Sequence, residues 1–317
     1  MADSHSLIAI MLGRLRMSTT EALQEYDTCA SKIFSGDNKK TWSLSERFRA
    51  TRLQEIIERL VKERGMGESM RDPSFPGKGK VCVSVMPAGS IGKPHFVRSF
   101  TIGDQENNSW DKDVTIWQAA RATTAASSYF KPQLLGSGGL AQAYIDAAIG
   151  ANNPVEYLLQ QAVDEFGSTR PLGCVLSIGT GTRDVQLGRA PTGLRNFIQA
   201  PVYYWRLLHT LKTTATDCEE PHRHVESRMR LFPGSYFRFN VPEAAVVKLH
   251  DHKKMSFLKS STAGYLAKDE VSKEVREVAE GLRVDGFEHG LTLGHIGKIP
   301  RSRIYPVVRS SFSSHSS

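Results

Sequence analysis

Apolar residues recur at helical spacing through the first fifth of the chain. A short run over residues 7–12 leads into Leu23, Tyr26, Ala30, Ile33 and Phe34, three and four apart, so two helices joined by a Ser/Thr turn are predicted. A longer helix is expected through Phe48, Leu53, Ile56, Ile57 and Leu60 to Arg64. Ser43 or Ser45 would cap it, Glu46 would complete a capping box with Ser43, and Gly65 and Gly67 would end it. The pattern then shifts. Residues 81–85 and 96–100 have the character of two strands separated by a turn, and 114–127 that of an alanine-rich helix whose small side chains suit close packing. A short strand over 143–146 precedes the turn 147–153, a helix from Pro154 to about Phe166, and a buried-type strand over 172–178 closed by Gly179-Thr-Gly. Residues 194–229 again read as helical, 236–241 as an alternating strand, and 244–266 and 268–282 as two final helices. Strand, glycine turn, helix and strand in alternation predict an α/β protein with a mainly parallel sheet covered by helices.

Composition narrows the function classes. Of 317 residues 40% are hydrophobic and 23% charged, which excludes fibrous and wholly disordered chains. The formal net charge of +8 favours acidic partners such as anionic lipid surfaces or nucleic acid, although basic and acidic residues interleave over 39–64 as on a solvated helix face. No nucleic-acid motif accompanies the charge, so that class ranks last. Cys29, Cys82, Cys174 and Cys218 contain no C-x-x-C pair and indicate neither a zinc ribbon nor a disulfide framework. The run over 7–12 is far shorter than the roughly 20 residues a membrane span needs, and no basic segment precedes it. A cytoplasmic protein in reversible, peripheral contact with membranes is therefore expected.

Few residues carry chemistry. Asp146, at a predicted strand end before small residues and Asn152-Asn-Pro, is placed to face a cleft, although by local pattern alone it also reads as a turn aspartate. Cys218 with His222 and His224, and His250 with Asp251 and His252, match no zinc spacing and read as solvated surface; no metal and no cofactor is implied. Ser177-Ile-Gly-Thr-Gly fits a tight strand-end turn better than a phosphate cradle. Arg121 reads as a tie between a helix and its neighbours. Trp110, Trp117 and Trp205 read as core, while for Tyr203 and Tyr204 core packing and a membrane-facing patch both stay open.

Three segments taken together change the picture: Thr115-Ile-Trp-Gln-Ala-Ala-Arg-Ala-Thr-Thr-Ala-Ala-Ser-Ser-Tyr-Phe-Lys-Pro, Tyr144-Ile-Asp-Ala-Ala-Ile-Gly-Ala-Asn-Asn-Pro-Val and Leu176-Ser-Ile-Gly-Thr-Gly. In order and spacing they closely resemble the patatin-like phospholipase family. Leu7-Ile-Ala-Ile-Met-Leu-Gly-Arg-Leu-Arg-Met-Ser is similar to the helix that follows the family's nucleophile, and the segments starting at Ala215 and Tyr236 are similar to parts of its longer members. The resemblance covers roughly residues 7 to 265. It implies a three-layer α/β fold and lipid acyl hydrolysis by a Ser-Asp dyad, with a serine in a G-x-S-x-G elbow and backbone N–H groups of a glycine-rich loop stabilising the oxyanion. Asp146 matches the position of the general base. The substrate implied is a glycerophospholipid or acylglycerol ester.

The chain departs from that pattern at two places. No G-x-S-x-G occurs in it: Asp3 stands where the nucleophile is expected, with Ser4 and Ser6 out of register, and the oxyanion loop and first strand are missing too. Ala147 and Ala148 replace the glycines after the aspartate, adding Cβ atoms where the backbone could require a special conformation. The organisation expected is a patatin-like domain over 1–266 without its first strand and nucleophile elbow, a C-terminal helix over 267–283, and a disordered serine-rich tail over 284–317. Little or no ester hydrolysis is expected, with Ser4 as the one displaced nucleophile worth testing. The alternative is a non-catalytic module that binds lipid or a protein partner.

Overall fold

The computed structural model describes residues 3–39, 48–72, 79–90, 93–103, 109–126, 129–136, 141–181, 218–247, 251–282 and 290–296. Helix α1 (Asp3–Ala9) runs into a π turn over Ile10–Arg14, and α2 (Thr19–Ile33) follows. Ser18 starts α2 with a full capping box: its hydroxyl accepts the Glu21 N–H and its own N–H donates to the Glu21 carboxylate. Those two bonds and the Arg64 guanidinium hold the Glu21 carboxyl down to about 2. A folded value below the ordinary 4.5 means that the stabilisation is complete above pH 4.5 and disappears as pH falls through 2. The gap in thermal midpoint between the protein and Glu21→Gln should therefore be widest above pH 5 and close on approach to pH 2; a gap independent of pH would refute the assignment.

Helix α3 (Thr51–Glu63) buries Leu53, Ile56, Ile57, Leu60 and Val61 on one face. It starts later than expected. Phe48 stands outside it, because its N–H donates to the Tyr129 carbonyl and its ring packs on Phe34, Tyr129 and Phe130; the proposed caps Ser43 and Ser45 lie outside the described residues. Gly65, at φ 60°, ends the helix as expected.

Strands β1 (Cys82–Pro87), β2 (His95–Arg98), β3 (Gln133–Leu135) and β4 (Gln142–Asp146) form one sheet in the order β2-β1-β4-β3. Every pair in it is antiparallel, which corrects the expectation of a mainly parallel sheet. The connections 88–94 and 136–141 are too short for the crossover that parallel neighbours require, so β1 turns straight back into β2 and β3 into β4. The parallel pair among the described residues is β5 (Val175–Gly179) with β6 (Tyr236–Asn240), separated by enough chain to contain α6 (Glu219–Met229).

One face of the four-stranded sheet carries Val83, Val85, Val97 and Tyr144 and packs under α1, α2, α3 and α4 (Ile116–Thr123). Ala119, Ala120 and Ala122 are fully buried there, so the alanine-rich helix does approach its neighbours closely. The opposite face carries Met86, Ile145 and Phe96 against Tyr157 of α5 (Val155–Phe166). The result is helix, sheet and helix in three layers. Helix α5 also belongs to a second core beneath β5, in which Val155, Leu159 and Val175 meet Val225 and Met229 of α6. Leu293 and Ile296 close that core from within the segment 284–317. Helices α7 (Met255–Leu266) and α8 (Asp269–Gly281) complete the described chain.

Gly13 marks the tightest approach in the α1 layer. A Cβ there would lie 2.1 Å from a Val81 methyl, and Val81 is itself buried beside the sheet. Overpacking costs about 1–3 kcal/mol, against a helix-propensity gain of about 1 kcal/mol on replacing glycine with alanine. Gly13→Ala should thus lose up to about 2 kcal/mol in urea unfolding; a stabilised variant would show that the valine yields freely.

Candidate active site

Asp146 is the last residue of β4 and is 7% exposed. It pairs with Val85 of β1, which pairs in turn with His95 of β2, so the three residues form one cross-strand row. With Tyr144, two residues earlier, they share the sheet face that meets α1 and α4. The Asp146 N–H donates to the Ala125 carbonyl at 3.2 Å, fixing the end of β4 to the end of α4. Its Oδ1 accepts the Ala148 N–H at 3.0 Å and caps a single 3-10 turn over Ala147–Ile149. The carboxylate is thus oriented by the turn that follows it.

That turn settles the two alanines. Among the described non-glycine residues only Arg16 has a positive φ, so Ala147 and Ala148 adopt ordinary right-handed backbone and their Cβ atoms cause no strain. The special backbone conformation raised for these positions is therefore not adopted here.

The same sheet face holds a group that sequence reading left without a role. The His95 imidazole and the Tyr144 hydroxyl meet at 2.9 Å, Tyr144 donates to Gln142 at 3.2 Å, and Trp110 stacks on Tyr144 with ring centroids 5.1 Å apart. Burial, with Arg98 nearby, pushes the His95 value below 6.5 and favours the neutral ring; burial raises the Tyr144 phenol. Alternation along 142–146 puts Tyr144 and Asp146 on one face, but the strand supplying His95 and the loop supplying Trp110 become evident only with the register in hand.

Ser4 lies in the first turn of α1. Helix α1 packs on α4 and β1, and its Leu7, with Ile10 and Met11 of the π turn that follows, lies in the core on the side of the sheet that Asp146 faces. Arg121 is a tie, as read: its guanidinium donates to the Lys131 carbonyl and sits 5.4 Å from the centre of the Phe130 ring.

The segment after Asp146 is fastened to the second core. Buried Asn153 donates to the Cys218 carbonyl at 2.7 Å and accepts the Val155 N–H at 3.3 Å, so one side chain starts α5 and grips the start of α6. Next to it, Glu219 accepts from Arg238 at 3.0 Å and Asn240 at 3.1 Å, and Arg238 donates to Ser177 at 2.9 Å. Asn240 accepts the Gly181 N–H at 2.6 Å. A Cβ on Gly179 would stand 2.4 Å from Asn240 Oδ1, so the Gly179-Thr-Gly turn is filled by protein side chains and has the tight geometry expected. Burial and Glu219 push the Cys218 thiol up to about 11. His222 meets the Tyr236 hydroxyl at 3.0 Å and His224 lies 3.6 Å from Glu156, while His250 is outside the described residues. Among the described residues no three His, Cys, Asp or Glu side chains converge as metal ligands, and no helix is long and apolar enough to cross a membrane.

The model of the patatin-like phospholipase family matches residues 6–159, a stretch that runs from α1 through Asp146 into α5. Those residues belong to the patatin-like phospholipase family. The chain is 27% identical to calcium-independent phospholipase A2-gamma of Oryctolagus cuniculus over 281 residues, 84% of this chain and 33% of that protein. With the Homo sapiens protein of the same name it shares 26% over 289 residues, 87% of this chain and 34% of the other. With patatin-like phospholipase 1 of Plasmodium falciparum it shares 27% over 212 residues, 60% and 30%. The chain spans about a third of the length of the curated relatives it matches. The matches to the mammalian proteins cover more of the chain than the family model does.

Proposed function

We propose that this patatin-like domain is built for acyl-ester chemistry on glycerophospholipids or acylglycerols, with Asp146 as the general base of a Ser-Asp dyad. The observation that carries the reading is the placement of Asp146: nearly buried, oriented by the Ala148 N–H, and on the sheet face that receives α1. In such a dyad a serine oxygen attacks the ester carbonyl while the aspartate takes its proton. The departing alcohol then receives that proton, and water, activated by the same carboxylate, releases the acyl group. No cofactor enters the scheme.

The 317 residues hold the base but no G-x-S-x-G, so they supply the chemistry of one half of the dyad. This favours a second reading, a module that binds lipid or a protein partner without turnover. Hydrolysis of a short-chain nitrophenyl ester and of a phospholipid, with Asp146→Asn in parallel, separates the two. Ester cleavage abolished by Asp146→Asn would establish the dyad, cleavage indifferent to it would remove Asp146 from the role, and lipid binding without cleavage would leave the module.

A further inference from the structure

We propose that the exposed end of the β5–β6 pair, with the basic stretch beside it, docks on an anionic lipid bilayer. The inference rests on the lipid reading above and names the surface that would meet the lipid. Parallel strands are ordinarily covered on both faces. Here Val175 and Ser177 point into the second core, whereas Leu176 and Ile178, on the other face, are 40% and 62% exposed. Two residues past the end of β5, Gly181 lies so close to the turn over Pro242–Val246 that a Cβ on it would be 2.5 Å from the Ala245 nitrogen. The neighbour of Ala245, Val246, is 66% exposed. Three residues of chain reach at most about 10 Å, so the exposed side chains of Ile178 and Val246 both lie near this end of the pair.

Charge selects the occupant. From the Val246 turn to the end of α7 and just beyond, residues 242–268 carry Lys248, Lys253, Lys254, Lys259 and Lys268 against the acids Glu243 and Asp251, and Lys259 is paired with Asp27. Lys253 and Lys254 are exposed on a short turn that packs with the same helix, α7, as the Val246 turn does. Lys254 lies 3.7 Å from Asp251, and Lys253 forms no ion pair among the described residues. Apolar side chains bordered by lysines fit a surface with anionic headgroups above acyl chains: the former enter the interface and the latter meet phosphates. The net charge of +8 adds attraction at longer range.

The test is co-sedimentation of the 317-residue chain with vesicles of ether-linked phosphatidylcholine, with and without ether-linked phosphatidylserine. Ether lipids contain no ester to cleave, so binding is scored separately from hydrolysis, and either property can fail without the other. Binding is expected to the anionic vesicles and to weaken with salt. Lys253→Gln and Lys254→Gln should each lower the affinity about fivefold, and Val246→Asp should lower it further, with thermal melts confirming that each variant is folded. Absence of binding to anionic vesicles, or binding that all three substitutions leave unchanged, would overturn the proposal. So would a Val246→Asp variant that dissociates a dimer and still binds vesicles, which would make the patch a contact between copies of the chain.

Discussion

Purified as these 317 residues, the chain is expected to hydrolyse a nitrophenyl ester or a phospholipid no faster than buffer, with Asp146→Asn and Ser4→Ala indistinguishable from it. The expectation follows from how a dyad acts. Nucleophile and base work as a unit, and in a serine protease deleting one member costs about a million-fold, nearly as much as deleting all. A missing oxyanion donor adds roughly 3 kcal/mol. Asp146 offers a proton acceptor, but the sequence contains no G-x-S-x-G elbow to present an activated hydroxyl to it. Ser4 lies in a helical turn rather than on a strand-to-helix elbow, the geometry that exposes a nucleophilic serine. A rate above buffer that Asp146→Asn removes would mean that a nucleophile exists outside the expected motif, and Ser4→Ala would show whether it is Ser4.

The local periods made most elements legible. Helix α5 begins after Pro154 and β6 spans the alternating Tyr236–Asn240, both close to expectation, because their apolar spacing and punctuation agree with the packing. Strand direction was not legible, since it depends on which strands meet across β1 and β4, and the same short apolar run can pair either way. The helical pattern from Phe48 failed for a related reason: aromatic contacts with Phe34, Tyr129 and Phe130 outweigh a periodicity that includes it by coincidence. The strand-end position of Asp146 was legible because the short apolar run before it stops there. His95 and Trp110 were not, since their proximity to Tyr144 is created by strand register and a loop distant in sequence.

Asp111 shows most clearly what the sequence hides, and it should be the most costly side chain to remove. It is fully buried, accepting from Arg71 at 3.0 Å, from the Arg98 N–H at 3.1 Å and from the Ser109 hydroxyl. The Arg98 guanidinium lies 3.9 Å from it and donates to Gln161 of α5 at 2.6 Å. One carboxylate therefore links the loop before α4, the edge strand β2 and, through Arg98, the helix on the far side of the sheet. In the sequence it is one acid in a polar loop. Asp111→Ala would leave two largely buried guanidinium groups without their shared counter-charge, a loss of about 3–5 kcal/mol from a total stability that in domains is about 5–15 kcal/mol. Asp111→Asn keeps acceptor capacity for one donor and should lose less, about 1.5–3 kcal/mol, the worth of a hydrogen bond to a charged group. Urea unfolding of the two variants and of the pair Asp111→Ala with Arg71→Met decides the matter. Removing Arg71 from the alanine variant should recover part of the loss if an uncompensated charge causes it, whereas purely additive losses would place the cost in packing around the loop.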